Sequence, residues 1–130
     1  MSKEKKIINS EKAPAAIGAY SQGIMTEGFL FTSGQLPVDP STGKIEEGGM
    51  KVQAARAISN LGEVLHAGGM RYADLVKVTV YITDMNKFSE FNEVYAGYFN
   101  GSFPARSCVG VASLPLGAEV EVEGVAYKNE

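Results

Sequence analysis

One cysteine, Cys108, and one histidine, His66, stand in a chain of 130 residues. The lone cysteine excludes an internal disulfide framework, and the two residues together are too few for the Cys/His clusters that hold zinc. No zinc site of that kind is therefore expected. No run approaches the ~20 apolar residues that a membrane-spanning helix needs. The segment Met1–Lys6 is charged and no apolar signal-peptide core follows it, so the expected location is cytoplasmic, away from membranes. Basic charge is also scarce: Lys and Arg number 12 against 15 Asp and Glu, a net charge of −3. The one basic cluster, Lys3, Lys5 and Lys6, is interrupted by Glu4. Without a basic stripe the chain is a poor nucleic-acid binder. Neither a G-x-G-x-x-G nor a P-loop pattern is present, which argues against a phosphate cradle. Asn100-Gly101-Ser102 matches the glycosylation triplet but, with no secretory signal, reads as an Asn-Gly turn.

What remains is ordinary globular material, 45% apolar and 21% charged. This suffices for one core, so a single domain over residues 1–130 is expected, with residues 1–8 a flexible or edge segment. Two helices are predicted. Over Lys51–Ala67, Ala54, Ile58, Leu61 and Leu65 draw one apolar stripe, while Gln53, Arg56, Asn60 and Glu63 fall largely on the other side. Gly68-Gly69 ends that helix. Over Asn86–Phe99 the stripe is aromatic (Phe88, Phe91, Tyr95, Tyr98), with Asp84 or Asn86 as N-cap and Asn100-Gly101 as the stop.

Strands are predicted at Phe29–Ser33, after a Glu27-Gly28 turn, and at Leu75–Thr83, with Val76, Val78, Val80 and Ile82 on one face. Two more are expected at Ser107–Ala112 and Glu119–Tyr127, joined as an antiparallel hairpin by Leu114-Pro115-Leu116-Gly117. The order points to an α+β domain with both helices on one sheet face. In the last strand Val120, Val122, Gly124 and Ala126 share one face, and Glu119, Glu121, Glu123, Val125 and Tyr127 the other. The mixed second face fits either a wet monomer or burial in an oligomer.

Few side chains are placed to do chemistry. His66 lies in the last turn of the first helix, where a cation suits the helix dipole, so it reads as structural. Arg106 and Cys108 share a strand face about 6.6–6.8 Å apart. The guanidinium could activate the thiol, or Cys108 could be a small filler. Arg106, in a core-like strand, needs either a carboxylate partner from Glu119, Glu121 or Glu123, or a ligand carboxylate to clamp. Any of the three acids, if desolvated, could be a general base. Gly34, after Ser33 in Ser33-Gly34-Gln35-Leu36-Pro37, could admit a ligand close to the backbone or simply make a turn. Tyr20 could point into a cleft or cap a core edge.

Four blocks occur together in a recognisable order: Ala13–Gly23 around Gly18-Ala19-Tyr20-Ser21-Gln22, Ser33–Pro37, Pro104-Ala105-Arg106-Ser107-Cys108-Val109, and Val120-Glu121-Val122-Glu123. In combination and spacing the chain from about Ala13 to Tyr127 resembles the reactive-intermediate deaminases of the RidA/YjgF family. The resemblance implies a chorismate-mutase-like α+β fold, a mixed sheet with two helices on one face, and a homotrimer with intersubunit clefts. It also implies cofactor-independent hydrolysis of 2-imino acids (2-iminobutanoate, 2-iminopropanoate) to 2-keto acids and ammonia. Carried over, Arg106 would hold the substrate carboxylate and Glu121 would activate water. Cys108 would line the pocket near the imine, Ser33 and Gly34 would give polar and backbone contacts, and Tyr20 would close the cleft. Two positions depart from the pattern: Ala19 replaces a frequent proline and Gly110 a frequent acid. Two other roles compete: a non-catalytic small-molecule-sensing or regulatory trimer acting through a protein partner, and a nuclease or translation inhibitor, which the acidic balance disfavours.

Overall fold

The computed structural model describes residues 4–129, so part of the N-terminal segment, Lys3 included, lies outside the described residues. The strands are β1 (Lys6–Ile8), β2 (Gly23–Thr26), β3 (Phe29–Thr32), β4 (Val38–Asp39), β5 (Lys44–Ile45), β6 (Leu75–Ile82), β7 (Ala105–Gly110) and β8 (Val120–Tyr127). The helices are α1 (Met50–Ala67) and α2 (Phe88–Ala96). Six strands form one mixed sheet in the order β1-β2-β3-β8-β6-β7, and β4-β5 is a separate short ribbon. Only the β6–β7 pair is parallel.

The alternating pattern of β8 is realised: Val120, Val122 and Ala126 are fully buried under the helices. They meet Val78, Val80 and Ile82 of β6 and the α1 stripe of Ala54, Ile58, Leu61 and Leu65 in one continuous core. Gly69, at φ +76°, ends α1. The Met70 N–H reaches the Leu65 carbonyl and the Gly69 N–H that of His66, the paired bonds of a left-handed C-cap. Asp84 caps the turn before α2, accepting from the Asn86 N–H at 3.0 Å. That helix is shorter than the aromatic stripe suggests, because from Gly97 the backbone tightens to three-residue bonds.

Three expectations are corrected. The strands around Arg106 and Glu121 are not a hairpin: β6 lies between β7 and β8 and pairs with both. The connection that crosses β6 carries a single turn of 3-10 helix at Pro115–Gly117. Val76 leaves the buried face, at 45% exposure, because a bulge between Leu75 and Lys77 shifts the strand's phase. Gln53 and Asn60 are buried despite their polarity. Gln53 accepts the Glu119 N–H at 2.8 Å, and Asn60 Nδ2 donates at 2.9 Å to both the Leu36 and Val38 carbonyls, tying the loop before β4 to α1. Of the alternatives left open for Arg106, the carboxylate partner is absent: it forms no ion pair with Glu119, Glu121 or Glu123. Glu119 instead bonds Lys87 Nζ at 2.6 Å, which raises the lysine pKa.

The sheet's second face carries no helix. Phe29, Phe31 and Tyr127 are 39%, 45% and 41% exposed there, with Phe29 and Tyr127 rings 4.7 Å apart. Glu121 and Glu123 share this face with Tyr81 and Thr79 of β6, their register partners. No helix among the described residues is long and apolar enough to cross a membrane.

Candidate functional site

The residues singled out from the sequence separate into two groups on opposite faces of the sheet. On the open face, Gln35 and Val122 exchange backbone bonds of 2.7 and 3.1 Å, which fastens the segment after β3 onto β8. This brings Gly34 against the carboxylate of Glu121: a Cβ at position 34 would lie 2.7 Å from both Cδ and Oε2. Glycine is thus favoured here by the space that Glu121 occupies, not by a turn. Ser33 Oγ donates to the Ser21 carbonyl at 2.6 Å, and its N–H donates to the Gln22 carbonyl at 2.8 Å. The buried Gln22 amide in turn donates to the Ser10 and Pro14 carbonyls, holding the segment that leads to Tyr20. Tyr20 is 52% exposed and lines, with Gly34, a groove of about 320 Å³. Burial pushes the Glu121 carboxyl above the usual carboxylate range, and the negative charge of Glu123 adds to the effect. Burial first, and then the neighbouring Glu123 and Glu121, make the Tyr81 hydroxyl harder to ionise.

The second group lies at the edge strand, on the helix side. Arg106 and Cys108 pair in register with Val78 and Val80, so they point toward α2. Arg106 Nη1 donates to Asn92 Oδ1 at 2.8 Å, and the guanidinium lies 5.2 Å and 4.8 Å from the ring centroids of Phe88 and Tyr95. Two aromatic faces and an amide therefore support the cation without neutralising it. Among the described residues no carboxylate is within ion-pair distance of it. Asn92, Tyr95, Phe103 and Arg106 line an open cavity of about 330 Å³. Burial pushes the Cys108 thiol up, more than Arg106 pulls it down, so the guanidinium beside it does not activate the thiol.

Asn92 was not apparent in the sequence. It sits one turn after Phe88 and three residues before Tyr95, so helical periodicity puts the three on neighbouring faces, but nothing marks an amide as the partner of a distant arginine. Within one chain the two groups do not meet. They lie two strand spacings apart, about 9–10 Å, and point to opposite sides of the sheet. What one chain offers is a guanidinium without a carboxylate partner on one surface and a partly buried carboxylate on another.

Residues 10–128 match the family model described as Endoribonuclease L-PSP. Over 125 residues the chain is 45% identical to the 2-iminobutanoate/2-iminopropanoate deaminase of Rattus norvegicus, covering 96% of this chain and 91% of that one. It is 48% identical over 125 residues to a RutC family protein of Pyrococcus abyssi, covering 96% and 98%. Its fold matches that of TdcF of E. coli, solved with bound serine, at a TM-score of 0.91 and 42% identity over 95% of this chain and 99% of that one. The mixed sheet, the two helices and the matched sequence agree in one assignment: the chain belongs to the Endoribonuclease L-PSP family, the RidA/YjgF family that its four sequence blocks resemble.

Proposed function

We propose that the protein is an imine deaminase that hydrolyses 2-imino acids such as 2-iminobutanoate and 2-iminopropanoate to 2-keto acids and ammonia. The observation that carries this reading is the state of Arg106: a cation supported by Asn92, Phe88 and Tyr95, facing a cavity and left without a carboxylate of its own. A guanidinium so held is a receptor for a substrate carboxylate. The names of the curated relatives supply the rest of the substrate.

The iminium carbon is already electrophilic, so positioning plus one proton acceptor can suffice. Glu121, with its raised pKa, accepts a proton from water as the oxygen bonds to C2, giving a carbinolamine. Proton return from Glu121 makes the nitrogen a leaving group. As the C–N bond breaks, the hydroxyl oxygen forms the C=O and gives its proton back to the Glu121 carboxylate, releasing ammonia and the keto acid. That last proton leaves on the ammonia as ammonium. Ser33, Gly34 and Tyr20 flank the reacting centre, and Cys108 is a wall beside the clamp.

Because Arg106 and Glu121 point away from each other in one chain, the site is completed by a second copy. A homotrimer with clefts between subunits satisfies this, and the exposed Phe29, Phe31 and Tyr127 give the open sheet face an apolar surface to bury. The test couples a threonine dehydratase to the protein and follows 2-ketobutanoate release, with light scattering on the same sample. The wild type accelerates release and Arg106→Ala does not, and the mass is about three times 13.8 kDa. No acceleration by the wild type, or a monomer of 13.8 kDa that is fully active, refutes the reading. Keto-acid binding without turnover would favour a sensing or regulatory trimer instead. The family description favours an endoribonuclease reading; RNA cleavage that survives stringent purification and disappears in Arg106→Ala would establish it.

A further inference from the structure

The groove beside Gly34 extends well past the proposed reacting centre. At about 320 Å³ it lies at the small end of the range for ligand sites, and Ile17, Leu36, Val38 and Leu116 make its wall largely aliphatic. Leu36 and Val38 belong to the body of the protein, since Asn60 fixes their carbonyls. Ile17 and Leu116 do not: they are 86% and 69% exposed.

Leu116 is the more informative of the two. Its φ of 59° and ψ of 18° place it in the left-handed region, which disfavours any side chain with a Cβ. It occupies the third position of the turn Leu114-Pro115-Leu116-Gly117, closed by the Gly117 N–H on the Leu114 carbonyl at 3.3 Å. Glycine is the residue that a left-handed third position favours. Leucine there gains little buried area and accepts backbone strain, so neither core packing nor turn geometry accounts for it. Strain of this kind collects at functional sites. The isobutyl group overhangs the groove.

We propose that this groove receives the aliphatic side chain of the imino acid, and that Leu116, with Ile17, sets a preference for chains longer than ethyl. The proposal rests on the imine-hydrolysis reading. Gly34 joins the two regions, abutting the Glu121 carboxylate and also lining the groove, so a substrate with C2 near Glu121 has an apolar trough within one residue of it. A methyl or ethyl substituent leaves most of that trough unfilled. An isobutyl substituent reaches the aliphatic wall.

The test uses the full chain and two imines generated in situ by a flavin-dependent amino-acid oxidase, one from leucine and one from alanine, with keto-acid release followed. The wild type has the higher kcat/KM for the leucine-derived imine. Leu116→Gly lowers the leucine-to-alanine ratio by about tenfold, the low end of what one methylene gives in a closed pocket. Glycine relieves the positive φ, so this variant folds; its Tm and assembled mass are measured on the same samples. Leu116→Lys keeps the length but places a charge in the trough, and lowers the ratio in the same direction. An unaltered ratio in both variants, or equal losses on the two imines, overturns the proposal. So does a loss of assembled mass with an unaltered ratio, which would assign Leu116 to contacts between copies. If the wild type accelerates neither imine, the imine-hydrolysis reading fails and this proposal with it.

Discussion

Alanine at position 34 would put a methyl carbon 2.7 Å from Cδ and Oε2 of Glu121, about 0.8 Å inside an ordinary carbon contact. The backbone itself tolerates the change, since Gly34 is not among the glycines with positive φ. The crowding falls on the far end of a flexible side chain, so Glu121 rotates aside at a cost of about 0.5–1.5 kcal/mol for an off-rotamer angle. In a chain of this size 1 kcal/mol corresponds to roughly 3–5 °C of Tm, so Gly34→Ala melts no more than about 7 °C below the wild type. Catalysis should suffer far more. A misplacement of about 1 Å costs about 100-fold in rate, or about 2.7 kcal/mol of transition-state stabilisation. The assay is the coupled release of 2-ketobutanoate, with a thermal melt of each sample. A Glu121→Gln background supplies the control, because with the carboxylate gone the added methyl has little left to displace. If Gly34→Ala keeps more than a third of the wild-type kcat/KM, or costs as much in Glu121→Gln as in the wild type, the glycine does not position the carboxylate and the reasoning fails.

Two further outcomes follow from the same geometry. Asn92→Ala removes the bond that fixes Arg106, worth about 1.5–3 kcal/mol for a charged donor, and raises KM by at least tenfold in steady-state kinetics; a wild-type KM would show that the two rings alone hold the guanidinium. Glu123→Gln removes one of the two causes that raise the Glu121 pKa while burial remains. Activity needs Glu121 ionised and is lost as pH falls through its folded pKa, so the acid limb of the kcat/KM profile moves to lower pH; an unmoved or raised limb contradicts the assigned charge coupling. The stability sign agrees. A folded pKa above the unfolded one makes Glu121 unfavourable to folding above its folded pKa, and that cost disappears below the unfolded value, so the variant is relatively more stable at neutral pH.

The sequence by itself determined whatever depends on near neighbours in the chain. The α1 stripe at Ala54, Ile58, Leu61 and Leu65 and the alternation of Val120, Val122 and Ala126 are local periodicities, and all of these residues are buried as the pattern requires. The turn at Gly28 and the cap at Gly69 follow from glycines, which accept positive φ. The four sequence blocks named the family, because their order and spacing can be read without a fold. Tertiary structure decided what depends on partners far along the chain. Periodicity cannot say which strands pair, so β6 was not seen between β7 and β8. That insertion separates Arg106 from the β8 acids, and the sheet register puts Arg106 and Glu121 on opposite faces, which no single strand's alternation can show. Local polarity also misplaced Gln53 and Asn60, which are buried because backbone groups from Glu119 and from the Leu36–Val38 segment come to meet them. Above all, the support of Arg106 by Asn92 and two rings, and the contact of Gly34 with Glu121, exist only once α2 lies over β7 and the segment after β3 is fastened to β8.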